Sequence, residues 1–558
     1  MKPTILENIA QHAGRDPDRL FCRLIYKNKP EERISYGRLV EQAGRYAALL
    51  ANAGCRSGGV AILVFDHGPE LLEAFAGAAM ARAIPSVFPF PSSKVPKAYY
   101  ESTLLQLLGL YKSAVILTDP ARAVELRLLL KDGPWTVADT SSLGDAIDSS
   151  RALAVDEPDR IVLLQHSSGT TGLKKGVALT NASVIHQLKN YASALSLVPS
   201  DRIVSWLPLY HDMGLVACFL LPLVCGVPVT MMSPFEWVAD PALLFRAISE
   251  DRSTLCWLPN FAYNFLASNV APERSPDFDL RSIRAFINCS EPIQDRSHQL
   301  FLERFRSLGV RETAFASCYA MAENTFAVTQ SPVGSGVRTE DVDWARFTDE
   351  HRAVPPESGR SVRRLVSSGR VIAGNRARIV GPEGQTLPDR AVGEIAISSD
   401  SLMTGYYHRD DLTAAVLKDG WYATGDLGFF AEGELYVTGR KKDMIIVAGK
   451  NIYPQDVEEI VGRTEGVYPG RVVCFGVASE EKGTEDVVVL AETTVSDPAK
   501  HLQMKLSIAR AVRDQMECVV NQVVLLPHMW LIKSTSGKIS RSGNRERYIN
   551  ELKGAHVV

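Results

Sequence analysis

The sequence predicts an α/β protein with mostly parallel, covered sheets in a large N-terminal region, followed by a small α+β unit. Three observations carry this expectation. Strand-like and helix-like stretches alternate from Leu39 onward, and the alternation resumes after residue 180. Several apolar runs of strand length end in clusters of polar residues, the ends at which open α/β sheets bind ligands. Near Lys442 the pattern changes to short strands around one longer amphipathic stretch.

In chain order, Leu39, Ala43, Tyr46, Ala47 and Leu50 share a helical face that Gly54 ends, and residues 60–65 form a strand. Residues 71–81 read as a helix and 114–117 as a strand, the alternation of a parallel sheet covered on both faces. Thr180-Asn181 is a helix N-cap before Ile185, Leu188, Tyr191, Ala192 and Leu195. Strands at 203–207, 254–258 and 283–287 follow, then a polar block at 331–370 read as an insertion or irregular connection. Gly334 and Gly336 lack the third glycine of a dinucleotide fingerprint, because position 339 is Thr. Short strands at 377–380 and 393–397 precede a polar turn at 422–426 and a second one ending in Arg440-Lys441-Lys442-Asp443. Beyond Lys442, strands at 472–477, 487–491 and 523–526 accompany a helix whose apolar face is Leu502, Leu506, Ala509, Val512 and Met516.

The stretch richest in chemistry is Ser167-Ser168-Gly169-Thr170-Thr171-Gly172-Leu173-Lys174-Lys175-Gly176, placed directly after the apolar run 161–164. Glycines let backbone N–H groups approach an anion, hydroxyls donate hydrogen bonds and lysines supply charge, which is what a phosphate-holding loop requires. Its glycine spacing differs from the G-x-x-x-x-G-K-[ST] loop of kinases and related NTPases. A second loop of hydroxyls and lysines, 533–538, lies near the other end.

At 558 residues the chain exceeds a single domain of roughly 100–200 residues. With 61 basic and 64 acidic residues, a net charge of −3 provides no field to attract nucleic acid or an anionic membrane. Nine scattered cysteines without a C-x-x-C pair read as reduced thiols of a cytoplasmic protein. The uncharged stretch 213–232 is interrupted by Pro222, Gly226 and Pro228, so it reads as a buried helix, a turn at Gly226 and a buried strand, with no integral membrane segment.

Several motifs in one order resemble the adenylate-forming superfamily of acyl-CoA synthetases, adenylation domains and luciferases: Ser167 to Gly176, Tyr210-His211-Asp212, Tyr319 to Glu323, Tyr422 to Asp426, Gly439-Arg440 and Ser536-Gly537-Lys538. The nearest likeness is to fatty acyl-AMP ligases, through Trp206-Leu207-Pro208-Leu209-Tyr210-His211-Asp212-Met213-Gly214-Leu215, the stretch Asn451 to Glu458 and the position of the polar block. Lys174, Ala320 and Ile532 stand where the family commonly has Pro, Gly and Pro.

The resemblance implies a multi-subdomain N-terminal adenylation domain (1–441) with a small β-barrel-like part, and a small mobile α+β domain (442–558) turning about Lys442. It implies ATP and Mg²⁺ as cofactors and a fatty acid as substrate. A carrier-protein phosphopantetheine would be the acyl acceptor, with free coenzyme A as the alternative. Lys538 is then the mobile cation between carboxylate and α-phosphate. Ser167, Ser168, Gly169, Thr170, Thr171, Gly172 and Lys175 hold the outer phosphates, and Glu323 ligates Mg²⁺. Asp426 takes the ribose hydroxyls, Arg440 ribose or phosphate, and Tyr319 with Ser290-Glu291-Pro292 sandwiches adenine. His211 borders the carboxylate or the thiol entrance, and parts of 206–216, 258–265 and 288–293 wall the acyl pocket. A catalytically silent nucleotide-binding protein is the reading from another class, and the joint presence of Lys538, Glu323, Asp426 and Arg440 argues against it.

Overall fold

The computed structural model describes residues 1–91, 97–111, 114–145, 156–167, 175–274, 277–359, 361–447, 450–479, 484–516, 518–533 and 538–553. Its centre is a nine-stranded sheet. Phe315–Ala320, Ala285–Asn288, Leu255–Leu258, Ile203–Ser205, Val229–Met231 and Leu20–Leu24 run parallel in that order. Antiparallel strands flank them: Glu32–Ser35 on one side, Ala327–Gln330 and Arg370–Val371 on the other. A second, four-stranded sheet is parallel throughout: Ile84–Val87, Val60–Val64, Ala114–Thr118 and Thr136–Asp139. The parallel strands Val60–Val64, Ala114–Thr118, Leu255–Leu258 and Ala285–Asn288 are buried on both faces, as their continuous apolar runs require.

Local chemistry sets the helices. Thr180 caps Asn181–Ala194 and Ser183 returns the bond to the cap backbone, which satisfies two otherwise orphaned donors. Tyr36–Asn52 and Pro69–Met80 pack so closely that a Cβ on Gly77 would lie 2.4 Å from Cβ of Tyr46, so only glycine fits there. The uncharged stretch forms a π-helix at Met213–Leu220, a short helix Leu221–Cys225 ended at Gly226, and the buried strand Val229–Met231. Among the described residues no helix is long and apolar enough to cross a membrane.

The small β part consists of antiparallel strands Asn375–Val380, Gly393–Ser399, Trp421–Ala431 and Leu417–Lys418, with Glu434–Arg440 also on Trp421–Ala431. Their pairing is that of an open sheet, and no closed barrel is needed. The polar stretch expected to be a turn at 422–426 lies inside Trp421–Ala431. Gly425, at φ +73°, bulges that strand where its register with Gly393–Ser399 shifts, so the sequence signal of a turn marks a bulge. The block at 331–370 also has more order than expected: Thr339–Asp343 and Val362–Val366 pair antiparallel around the helix Trp344–Asp349.

Toward the C-terminal end, Val467–Ser479, Thr484–Thr493 and Gln522–Leu526 form a sheet packed by Pro454–Gly462, Pro498–Met516 and Arg541–Glu551. The helix at Pro498–Met516 is where the sequence places it, but its buried face differs. Met504, Ile508 and Val512 face the core, while Leu502 and Leu506 are 63% and 56% exposed.

Candidate active site

Adjacent parallel strands Ala285–Asn288 and Phe315–Ala320, with Asn288 opposite Ser317, deliver their following residues to one end of the main sheet. There a cavity of about 620 Å³ is lined by Ser290, Glu291, Pro292, Tyr319, Asp426 and Arg440, six of the residues singled out in the sequence. Ser290 has φ +74°, a left-handed conformation that costs a non-glycine residue about 1–3 kcal/mol and persists only where neighbours enforce it. Those neighbours are visible. The Glu291 carboxylate accepts the Phe261 N–H at 3.0 Å, at the start of helix Asn260–Asn269. Beneath, the Asn288 side-chain amide meets Asn260 Oδ1 at 3.1 Å and His298 Nε2 at 2.9 Å, and Asn260 Oδ1 also accepts the Gln294 N–H at 3.0 Å. His298 stacks on Phe315 with centroids 4.9 Å apart, and burial depresses its pKa to about 4.

On the opposite wall, Asp426 and Arg440 face each other across paired strands, with Arg440 Nε 3.3 Å from Asp426 Oδ1. The Tyr319 hydroxyl donates to Asp426 Oδ2 at 2.6 Å. Burial pushes the Asp426 carboxyl upward, and Arg440 and the Tyr319 hydroxyl oppose that shift. Tyr319 is therefore fixed at its tip, its ring largely buried.

Lys538 reaches the same place from the far end of the chain: its Nζ donates to the Ser290 carbonyl at 2.5 Å. The Ser290 hydroxyl contacts Met213 Sδ at 3.7 Å, so the start of the π-helix adjoins the turn. Asp212 caps that helix by accepting the Met213 N–H at 2.9 Å; burial raises its pKa, with the Lys538 charge opposing. His211 sits one residue earlier, its ring 5.0 Å from that of Tyr210, and is not among the residues lining the cavity. Outside the lining of that cavity, the Trp206 and Trp237 indoles stack at 3.8 Å, with the Phe261 ring edge-on to Trp206 at 6.1 Å.

Strands Ile161–Ser167 and Lys175–Thr180 pair with Ser167 opposite Lys175. Ser168, Gly169, Thr170, Thr171 and Gly172 lie outside the described residues, as do Ser536 and Gly537. Lys175 Nζ stands 4.5 Å above the Tyr406 ring, and the Tyr406 hydroxyl donates to Glu323 Oε1 at 2.9 Å. Burial raises the Glu323 carboxyl pKa, opposed by the Tyr406 hydrogen bond and by Lys175. A hard carboxylate oxygen near strands Ile161–Ser167 and Lys175–Thr180 has the chemistry Mg²⁺ prefers, since that ion accepts one or two carboxylates and takes its other ligands from phosphate and water. Among the described residues no cluster of three or more His, Cys, Asp or Glu forms a self-sufficient metal cage.

Lys442 occupies a short 3₁₀ turn, Lys441–Asp443, anchored by Lys441 to Glu394 at 2.9 Å and by Asp443 to Arg541 at 2.8 Å. Farther on, Arg363 Nη2 donates to Asp456 Oδ1 at 2.6 Å, and its guanidinium lies over Trp344, Phe347 and Tyr453 at 5.1, 5.0 and 5.0 Å. Arg363, Trp237 and Tyr406 were missed in the sequence. None stands in a glycine-rich loop, a charged turn or one of the motifs that carry the family resemblance.

The AMP-binding enzyme family matches residues 9–407, and the chain belongs to that family. It is an adenylate-forming enzyme, of a class that uses ATP. One relative is the medium-chain-fatty-acid–[acyl-carrier-protein] ligase JamA of Moorena producens, 32% identical over 544 residues, which cover 92% of this chain and 90% of that one. Among solved structures, one from a study of fatty acyl-adenylate ligases from E. coli and L. pneumophila superposes with a TM-score of 0.92 at 27% identity, covering 99% of both chains. A fatty acyl-adenylate ligase from L. pneumophila in complex with acyl adenylate and pyrophosphate has a TM-score of 0.75 at 26% identity, covering 99% of this chain and 97% of that one.

Proposed function

We propose that the protein activates a medium- or long-chain fatty acid as its acyl-adenylate and passes the acyl group to the phosphopantetheine thiol of a carrier protein. The observation that carries this reading is the 2.5 Å contact of Lys538 with the carbonyl of Ser290, a residue that lines one cavity with Tyr319, Asp426 and Arg440. A relative that acts on medium-chain fatty acids and an acyl carrier protein supports the choice of substrates.

In the first half-reaction a carboxylate oxygen attacks the α-phosphorus of ATP, the bond to the β-phosphate oxygen breaks, and pyrophosphate leaves. Both reactants are anions, so the site must supply charge and donors preorganised around the transferring group. Lys538 provides a movable ammonium at the carboxylate and α-phosphate. Lys175 and the Ser167–Gly172 stretch hold the outer phosphates, with Ser168, Gly169, Thr170 and Thr171 as donors. Asp426 accepts from the ribose hydroxyls, Arg440 steadies ribose or phosphate, and adenine lies between Tyr319 and Ser290-Glu291-Pro292. Mg²⁺, when bound with ATP at Glu323, supplies charge neutralisation on the phosphates. The acyl chain extends past His211 toward Trp206 and Phe261.

In the second half-reaction the thiolate attacks the acyl carbonyl, the bond to AMP breaks, and AMP leaves. Two domains, 1–441 and 442–558, change their mutual arrangement at Lys442 between the steps, which also shields a hydrolysable adenylate from water. Nine free thiols support a cytoplasmic setting.

The test is carboxylate-dependent ATP–pyrophosphate exchange over a panel of acids, followed by thioester formation with either a holo carrier protein or coenzyme A. Exchange with fatty acids and thioester on the carrier is the expected outcome. Rapid acyl-CoA formation would transfer the reading to an acyl-CoA synthetase, and absence of exchange over the whole panel would leave a silent nucleotide binder.

A further inference from the structure

Tyr406 joins two groups that the proposed function treats separately. Its strand, Gly405–Tyr406, pairs antiparallel with Lys175–Thr180, Tyr406 opposite Val177 and Gly405 opposite Ala178. The Tyr407 N–H continues the ladder to the Gly176 carbonyl at 2.8 Å, and the Thr404 N–H bonds the Ala178 carbonyl at 3.0 Å. At the other end of this segment, the Met403 N–H donates to the Glu323 carbonyl at 2.9 Å. A single five-residue segment therefore fastens the strand carrying Lys175 to the turn carrying Glu323.

The side chain repeats the link. Tyr406 is 4% exposed, its ring face lies under the Lys175 ammonium at 4.5 Å, and its hydroxyl donates to Glu323 Oε1 at 2.9 Å. The Tyr422 hydroxyl, 3.3 Å from that of Tyr406, limits its rotation from behind. An ammonium over an aromatic face is held by the ring's electron density without losing its capacity to donate outward. A carboxylate with one oxygen taken by a phenol is restricted in rotation, and its other oxygen keeps a fixed bearing.

We propose that Tyr406 is a positioning residue: its hydroxyl orients the Glu323 carboxylate toward a phosphate-bound divalent cation, and its ring seats the Lys175 ammonium against the phosphates. This rests on the reading of Glu323 as a Mg²⁺ ligand and Lys175 as a phosphate contact. The two halves separate by substitution, because Tyr406→Phe removes the hydroxyl and keeps the ring, while Tyr406→Leu removes both.

The measurement is the calorimetric affinity of the full-length protein for ATP, with and without Mg²⁺, a readout independent of turnover. For Tyr406→Phe the Mg²⁺-dependent gain in ATP affinity falls about tenfold, the scale of a hydrogen bond to a charged group, while Mg²⁺-free affinity stays within about twofold, because the ring still seats Lys175. For Tyr406→Leu the Mg²⁺-free affinity also falls, about three- to tenfold, the scale of a cation–π contact. Lys175→Met, alone and combined with Tyr406→Leu, checks the ring from the other side and loses no further affinity in combination. Glu323→Gln abolishes the Mg²⁺-dependent gain.

A full Mg²⁺-dependent gain in Tyr406→Phe, with Glu323→Gln impaired, overturns the role of the hydroxyl. Additive losses in Tyr406→Leu and Lys175→Met overturn the role of the ring. If Glu323→Gln also keeps the full gain, the metal reading itself falls and the proposal with it, so the silent variant tells the two failures apart. Should Tyr406→Leu fail to fold, Tyr406→Phe decides the hydroxyl and Tyr406→Trp, which keeps an aromatic face, decides the ring against Lys175→Met.

Discussion

Lys538 and Ser290 lie 248 positions apart in the chain, yet the lysine ammonium rests on the serine carbonyl at 2.5 Å. Ser290 has a left-handed conformation, and the residue after it, Glu291, is tied to the Phe261 N–H. A cation delivered by the C-terminal end thus docks on a strained turn of the main sheet.

Lys538→Met keeps the length of the side chain and removes its charge. The expected result is a loss on the order of 10²–10³-fold in acyl-adenylate formation, the scale of removing one preorganised electrostatic group, with ATP affinity changed far less. Single-turnover formation of adenylate measures it. Wild-type rates in this variant would remove Lys538 from the chemistry.

Lys442→Pro restricts the backbone in the short turn Lys441–Asp443. If the two half-reactions use different arrangements about this point, one slows on the order of tenfold or more and the other stays near normal. Separate assays of adenylate formation and of transfer from preformed acyl-adenylate decide it. Equal, normal rates would exclude a hinge here.

Arg363→Ala leaves the Asp456 carboxyl without its partner, in a place where burial already raises its pKa to about 7 against the pull of Arg363. Removing one member of a buried pair costs about 3 kcal/mol, so the segment after Lys442 detaches more readily and limited proteolysis near 441–443 accelerates. The effect is larger at pH 8 than at pH 6. At the lower pH the carboxyl takes up a proton and no longer demands a counter-charge, so a pH-independent cleavage rate would count against this account.

His298 supplies a pH prediction. Its folded pKa is about 4, depressed by burial, below the ordinary value of 6.5. The unfolded chain therefore binds a proton between these values that the folded chain does not. The stability associated with this site is fully present above pH 6.5 and declines as pH falls toward 4, by about 1.4 kcal/mol per pH unit at most. Denaturant midpoints of wild type and His298→Asn, compared at pH 7.5 and pH 5.5, should show a smaller acid-induced drop in the variant.

The parts of this molecule that were legible in its sequence are those written in local chemistry. Thr180 with Ser183 announces a helix start, the uninterrupted apolar strands announce covered parallel sheets, and the motif series names residues that the structure brings to one cavity, Ser290, Tyr319, Asp426 and Arg440 among them. The misreadings share a cause. The stretch Pro498–Met516 offers two overlapping apolar stripes, and only the location of the sheet decides that Met504, Ile508 and Val512 turn inward while Leu502 and Leu506 do not. Residues 422–426 have the composition of a turn, because a bulged strand needs the same glycine as a turn does. Tyr406 was invisible because a tyrosine after a glycine has no signature of its own, and its importance comes from Lys175 and Glu323, far away in the chain.

The nine-stranded sheet has a further consequence, for behaviour at high concentration. Its outermost strands, Glu32–Ser35 and Arg370–Val371, are short, antiparallel to their neighbours and studded with charge, so neither border offers a long flat row of unpaired amides. The buried apolar strands between them are the segments most prone to cross-chain stacking. The native sheet withholds them from that fate by ending in strands too brief and too charged to template a copy of themselves.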